Sequence, residues 1–135
     1  FVDIAAGQGL IYPLLATDDV HYYDGTDTTC SYIMLACAPD ATDTELLQAI
    51  REKRFYATQG PEVHLDIVGD EAVARCSPAA RITLFTNRVW GRGHSVRGEN
   101  LTEHRAKLDP TETFIRAEVT DANGKMAWSN TIRLK

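Results

Sequence analysis

The sequence predicts an α+β chain, with βα units over residues 1–60 and a small antiparallel β-sandwich over residues 61–135. Three observations lead there. The run Ser31-Tyr32-Ile33-Met34-Leu35-Ala36-Cys37-Ala38 is apolar on both alternating faces, the profile of a strand covered on both sides in a parallel sheet or barrel. Thr42 and Glu45 then have the spacing of a capping box, ahead of a segment with Leu46, Leu47 and Ile50 on one helical face. After Gly60-Pro61 the pattern changes to short alternating runs separated by turn residues.

In chain order, residues 2–8 have the character of a helix end, with Gly9 where a C-terminal cap would sit. Leu10 to Leu15 is short and apolar enough for a buried strand. Asp24-Gly25 signals a turn, and Thr26-Asp27-Thr28-Thr29 a polar loop. The run from Ser31 to Ala38 is read as a strand, although a short helix fits it too. The capped helix extends to about Lys53. Arg51, Lys53 and Arg54 suit the negative end of its dipole, and Arg54 is also a candidate contact for a substrate anion.

Beyond Pro61, Val63, Leu65 and Ile67 alternate with Glu62, His64 and Asp66, the mark of a half-buried strand. Val68 to Glu71 turns the chain into a second strand, Ala72 to Cys76, which Ser77-Pro78 should end. Ile82 and Leu84 belong to a third strand. Ile115, Ala117 and Val119 share a face, and Asn123-Gly124 is a hairpin signal leading to strands at 126–128 and 132–134. Residues 89–113 give the least regular pattern. Arg88, Arg92, His94, Arg97, His104, Arg105 and Lys107 make the region locally basic, and a long solvated hairpin or loop is expected. The sharper alternative is a loop folded over a catalytic mouth, with Arg92 and His94 attracting an anionic substrate. Trp90 and Trp128 are expected to be core or rim aromatics.

Composition bounds the function. In 135 residues, 44% hydrophobic content permits one ordinary core, and a net charge of −5 disfavours nucleic acid and anionic membrane surfaces. No apolar run approaches the ~20 residues of a membrane span, and no secretory signal pattern is present. Cys30, Cys37 and Cys76 have neither metal-finger nor redox spacing, so buried, reduced thiols in a cytoplasmic protein are expected.

The chemistry is concentrated in Ala16-Thr17-Asp18-Asp19-Val20-His21. In an extended chain Asp19 and His21 point the same way, so a carboxylate oxygen and an imidazole nitrogen can close on one divalent metal. An Asp-x-His triplet also occurs as a simple turn cap, and Asp18 is of the type that bonds local amides.

The stretch from Ala16 to Asp24 resembles the last metal-binding segment of the PHP (polymerase and histidinol phosphatase) family, which reads like A-T-(S/D)-D-x-H. Ala49-Ile50-Arg51-Glu52-Lys53-Arg54-Phe55-Tyr56-Ala57-Thr58-Gln59-Gly60-Pro61 resembles that family's A-I-x-x-G-R-F-Y-A-T-x-G-P. Residues 118–125 and Ala127-Trp128-Ser129-Asn130 resemble its ending. Lys53 stands where a Gly is common, and Thr131 where Pro often follows Ser-Asn. The resemblance implies the terminal βα units of a PHP-like β/α barrel over residues 1–60 and a metal-dependent phosphoesterase using zinc, manganese or iron. Asp19 and His21 would be the last two metal ligands, with Asp18 or Asp24 holding the imidazole from behind. The family's N-terminal His-x-His and its intervening Glu, His and Asp ligands have no counterpart here. Together with a first residue that is Phe1 rather than Met, this gives the expectation of a C-terminal part, inactive alone. Its partners would be the missing N-terminal half of the barrel and a small phosphorylated substrate, with a homodimer as a further association. The rival expectation is a non-catalytic β-sandwich that packs on a barrel or mediates interaction.

Overall fold

The computed structural model describes every residue except Tyr23, Trp90 and Arg92. The elements are α1 (Val2–Gly7), β1 (Tyr32–Leu35), α2 (Asp43–Arg51), β2 (Phe55–Thr58), β3 (Val63–Val68), β4 (Glu71–Thr86), β5 (Ser95–Lys107), β6 (Phe114–Thr120), β7 (Met126–Ser129) and β8 (Ile132–Arg133). Among the described residues the strands form one sheet in the order β1-β2-β7-β6-β4-β3, with β5 along β4 and β8 along β6. Every pairing is antiparallel.

This corrects the expected fold class. Among the described residues there is no βα barrel portion and no pair of stacked sheets, but a single, mostly antiparallel open sheet. The reason lies at α2. Ala36 N–H donates to Arg54 C=O at 2.8 Å, so the helix returns the chain to the point where β1 ended. β2 therefore runs back along β1, pairing Leu35 with Phe55 and Tyr32 with Thr58. A parallel crossover would have to carry the chain to the opposite end. β1 is consequently an edge strand, with Tyr32 and Met34 exposed, although its residues would suit a strand covered on both faces.

The capped helix forms as the sequence indicates. Glu45 N–H donates to Thr42 Oγ1, and Thr42 N–H donates to Glu45 Oε2 at 2.8 Å. It ends two residues earlier than expected because Lys53 adopts φ 58°, the left-handed conformation that glycine favours after a helix. That is the position where the resembling segments carry Gly. Lys53 Nζ reaches Ile11 C=O at 3.2 Å.

β4 organises the rest. Residues 71–76 pair with β3 and residues 81–86 with β6, while β5 follows the opposite edge of both halves. Ser77-Pro78 does not end the strand. It lies in an irregular stretch between Arg75 and Arg81 where the β5 register shifts, which is how a strand tolerates a residue without an N–H. The bend brings β3 close to β6 and β7. Val63, Ala72, Ala74, Ile82, Leu84, Ile115, Ala117, Val119 and Ala127 then share one core. Six of its members are alanines (72, 74, 79, 106, 117 and 127), which keeps the layer thin. The basic segment beyond Arg88, expected to be loop or hairpin, supplies the whole of β5.

α1 is fixed to the sheet by charge as well as by Ala5 and Ala6. Buried Arg116 donates Nε and Nη2 to the two Asp3 carboxylate oxygens at 2.6 and 2.8 Å, and Nη1 to Glu118 at 2.6 Å. Its guanidinium lies 4.2 Å from the centre of the Phe85 ring. Leu10 to Leu15, expected as a strand, pairs with no strand and crosses the sheet as irregular chain.

Candidate functional site

The segment entering the Asp-x-His stretch is held by Asn130, at the turn after β7. Its Oδ1 accepts from Leu14 N–H at 2.9 Å, while Nδ2 donates to Phe55 C=O at 2.8 Å and Lys53 C=O at 3.2 Å. One amide thus ties the incoming segment to the end of α2 and the start of β2. Sequence reasoning did not single out Asn130. The available signal was its place in the Ser-Asn ending of the resembling segment.

From there to β1 the chain is a loop shaped by carboxylates. Asp18 accepts from Thr29 N–H and Ser31 N–H, each at 2.6 Å. The Ser31 amide foremost, with the Thr29 and Cys30 amides, holds the Asp18 carboxyl below its ordinary range against the contrary pull of desolvation. Asp27 Oδ2 accepts from His21 N–H at 2.6 Å and Tyr22 N–H at 3.1 Å. Asp24 Oδ1 accepts from Thr26 N–H and Oγ1 at 3.0 and 2.7 Å. These three acids organise backbone.

Asp19 and His21 differ from them. Both are exposed, and Asp19 has φ 55°, so the strand alternation expected to align them does not apply. The ring meets the Asp19 backbone instead: His21 Nδ1 lies 2.5 Å from Asp19 C=O. A carbonyl can only accept, so Nδ1 carries a proton, and in the neutral ring Nε2 is the nitrogen with the lone pair. The group holding the imidazole is the Asp19 carbonyl rather than the Asp18 or Asp24 carboxylate. Among the described residues, no group of three His, Cys, Asp or Glu side chains is gathered to hold a metal.

The remaining candidates lie elsewhere. Arg54 donates Nε to Glu52 at 2.8 Å and Nη1 to Ala36 C=O at 2.6 Å. It lines a groove of about 640 Å³ with Tyr56 and His64, whose rings meet edge-on at 5.4 Å. Burial, and then Glu62, push the Tyr56 hydroxyl pKa up. Arg92 lies outside the described residues, as does Trp90. His94 is buried, its Nε2 3.3 Å from Glu112 Oε1. Glu112 also accepts from Thr86 Oγ1 at 3.1 Å and Asp109 N–H at 2.9 Å. A Cβ on Gly91 would sit 1.9 Å from His94 Nδ1, so the glycine is needed for the ring to pack there. His94 therefore belongs to an internal polar cluster and not to an exposed anion contact. The basic strand carries its own counter-charges: Arg105 with Glu103 at 2.7 Å, Lys107 with Asp70 at 3.1 Å, and Arg88 with Asp109 at 2.7 Å.

All three cysteines are free thiols. Cys30 and Cys37 are exposed, contrary to expectation, because both lie in loops flanking the edge strand. Only Cys76 is partly buried, and burial pushes its thiol pKa up. No helix among the described residues is long and apolar enough to cross a membrane. No family model, curated protein or solved structure matches the chain.

Proposed function

We propose that this chain is the C-terminal part of a metal-dependent phosphoesterase and contributes Asp19 and His21 to its metal site. The observation that carries this reading is the Nδ1 bond from His21 to the Asp19 carbonyl. Metal-binding imidazoles are characteristically fixed through one ring nitrogen by a carbonyl or carboxylate, leaving the other as the donor. Here Nε2 is that donor, on a loop stiffened by Asp18, Asp24 and Asp27.

A hard carboxylate oxygen beside an imidazole nitrogen suits zinc, manganese or iron better than calcium. By donor type Asp19 and His21 fit part of such a site and not the whole of it, so no catalytic step is assigned to this chain alone. When bound, such metals acidify a water for attack on phosphorus and neutralise the phosphoryl oxygens. The missing donors belong to the rest of a longer protein. Ten of the thirteen exposed large apolar side chains among the described residues fall in residues 1–47, Leu15, Tyr22 and Met34 among them. They support a covering partner for this end, as does β1, which pairs with β2 alone. The substrate class is a small phosphate ester, and the three free thiols support a cytoplasmic location. The same apolar end also favours a second reading, a non-catalytic sheet that mediates association.

Paramagnetic broadening of the histidine ring signals by manganese(II) tests the ligand assignment. The His21 signal broadens ahead of those of His64, His94 and His104, and Asp19→Asn removes the difference. Four signals broadening together, or a His21 response unaltered by Asp19→Asn, overturns it. The chain alone turns over no p-nitrophenyl phosphate with manganese; turnover abolished by Asp19→Ala would refute the partial-site reading.

A further inference from the structure

Leu14 to Thr17 crosses the sheet between two fixed points. Leu14 N–H is held by Asn130 at one end, and Asp18 is bonded to Ser31 N–H at the other. Beneath the crossing, Ala57 of β2 and Trp128 of β7 stand opposite each other in register. Alanine is too small to fill the space below the crossing segment. What remains is a pocket of about 430 Å³, lined by Leu14, Leu15, Ala16, Ala57 and Trp128 and by the polar Thr17 and Ser31. Leu15, on this lining, is 58% exposed.

An apolar cavity of about 150 Å³ takes one benzene ring. A pocket of about 430 Å³ therefore has room for one or two rings, within the span of small-molecule sites. An indole offers the flat, polarisable surface on which another ring stacks. The pocket wall is the same run of chain that continues, two and four residues beyond Thr17, into Asp19 and His21.

We propose that this pocket is an aromatic subsite: it receives the one- or two-ring apolar group of an aryl ester whose anionic end lies at Asp19 and His21. The inference rests on the metal-ligand reading for the placement of the reacting end. The ring-binding part stands on the pocket alone. Trp128 and Leu15 are the residues that set preference for an aryl over a sugar or alkyl group.

Ligand-observed saturation-transfer NMR on the full chain separates the two parts, using p-nitrophenol and p-nitrophenyl phosphate, each with and without diamagnetic zinc(II). Transfer to the p-nitrophenol ring without metal is expected, weakened about tenfold or more by Leu15→Asp, which sets a carboxylate against the apolar wall. Leu15 is exposed enough for this variant to keep its fold, which an unchanged urea midpoint verifies; Trp128→Leu gives a second loss from the opposite wall. Absent transfer, or equal transfer in a folded Leu15→Asp, overturns the subsite. Ring binding with a zinc-dependent gain for the phosphate supports the whole proposal. Ring binding without that gain supports the pocket and overturns the metal-ligand reading instead.

Discussion

Replacing Asn130 with alanine is the sharpest test of how the candidate loop is positioned. The change removes three hydrogen bonds: from Leu14 N–H at 2.9 Å, and to Phe55 C=O and Lys53 C=O at 2.8 and 3.2 Å. A neutral bond contributes about 0.5–1.5 kcal/mol net, more when the abandoned partner stays buried. Asn130 is half-buried and water can reach part of the space, so the longest bond adds little. The expected loss is about 2–3 kcal/mol, which for a chain of this size lowers Tm by roughly 6–12 °C. Thermal unfolding by circular dichroism reads that figure. Amide exchange adds the local part: Leu14 N–H loses protection while the β4 and β6 amides keep theirs at matched stability. Asn130→Asp should retain Leu14 protection but remain destabilised, because it keeps the acceptor and sets a carboxylate against two carbonyls. A Tm within about 1 °C of the original, with Leu14 still protected, would refute the positioning role.

Two further outcomes follow from the polar groups. Glu112→Ala strips the acceptor from Thr86 Oγ1 and Asp109 N–H, and the carboxylate facing His94, in a nearly sealed position, with an expected loss of about 2–4 kcal/mol in urea unfolding; a loss below about 0.5 kcal/mol would show the cluster to be incidental. For Asp18 the sign comes from its depressed carboxyl pKa. An unfolded aspartate has a value near 3.8, so its stabilising effect is complete above that pH and is lost as pH falls through the lower folded value. The Ser31 amide proton shift should accordingly titrate with a midpoint below 3.8, and a midpoint at or above it would contradict the Asp18–Ser31 bond.

Local signals carried far into this fold and long-range ones did not. The capping box of Thr42 and Glu45, the alternation of Val63, Leu65 and Ile67, and the Asn123-Gly124 turn are each written within a few residues, and each formed. The apolar run of β1 was equally visible, but side chains do not encode which strand will lie alongside, and its partner was fixed by the return of α2. β5 escaped notice because its more buried apolar positions, Val96, Leu101 and Ala106, recur every five residues rather than every two. The register shifts opposite Ala79 and the left-handed Asn100 displace the usual alternation. In the candidate site, Asp19 and His21 were legible as a donor pair. The geometry that joins them was not, since it depends on the left-handed turn at Asp19, and the role of Asn130 depends on a contact across 116 positions.

That last separation has a consequence for synthesis. The ribosome adds about 5–20 residues per second, so Leu14 waits on the order of ten seconds for Asn130 to exist. Through that interval β3, β4 and β5, contiguous in sequence, can already pair. The segment bearing Asp19 and His21 thus leaves the ribosome well before the residue that seats it. A nascent chain holds no ordered donor pair for a passing metal ion until its sheet is nearly complete.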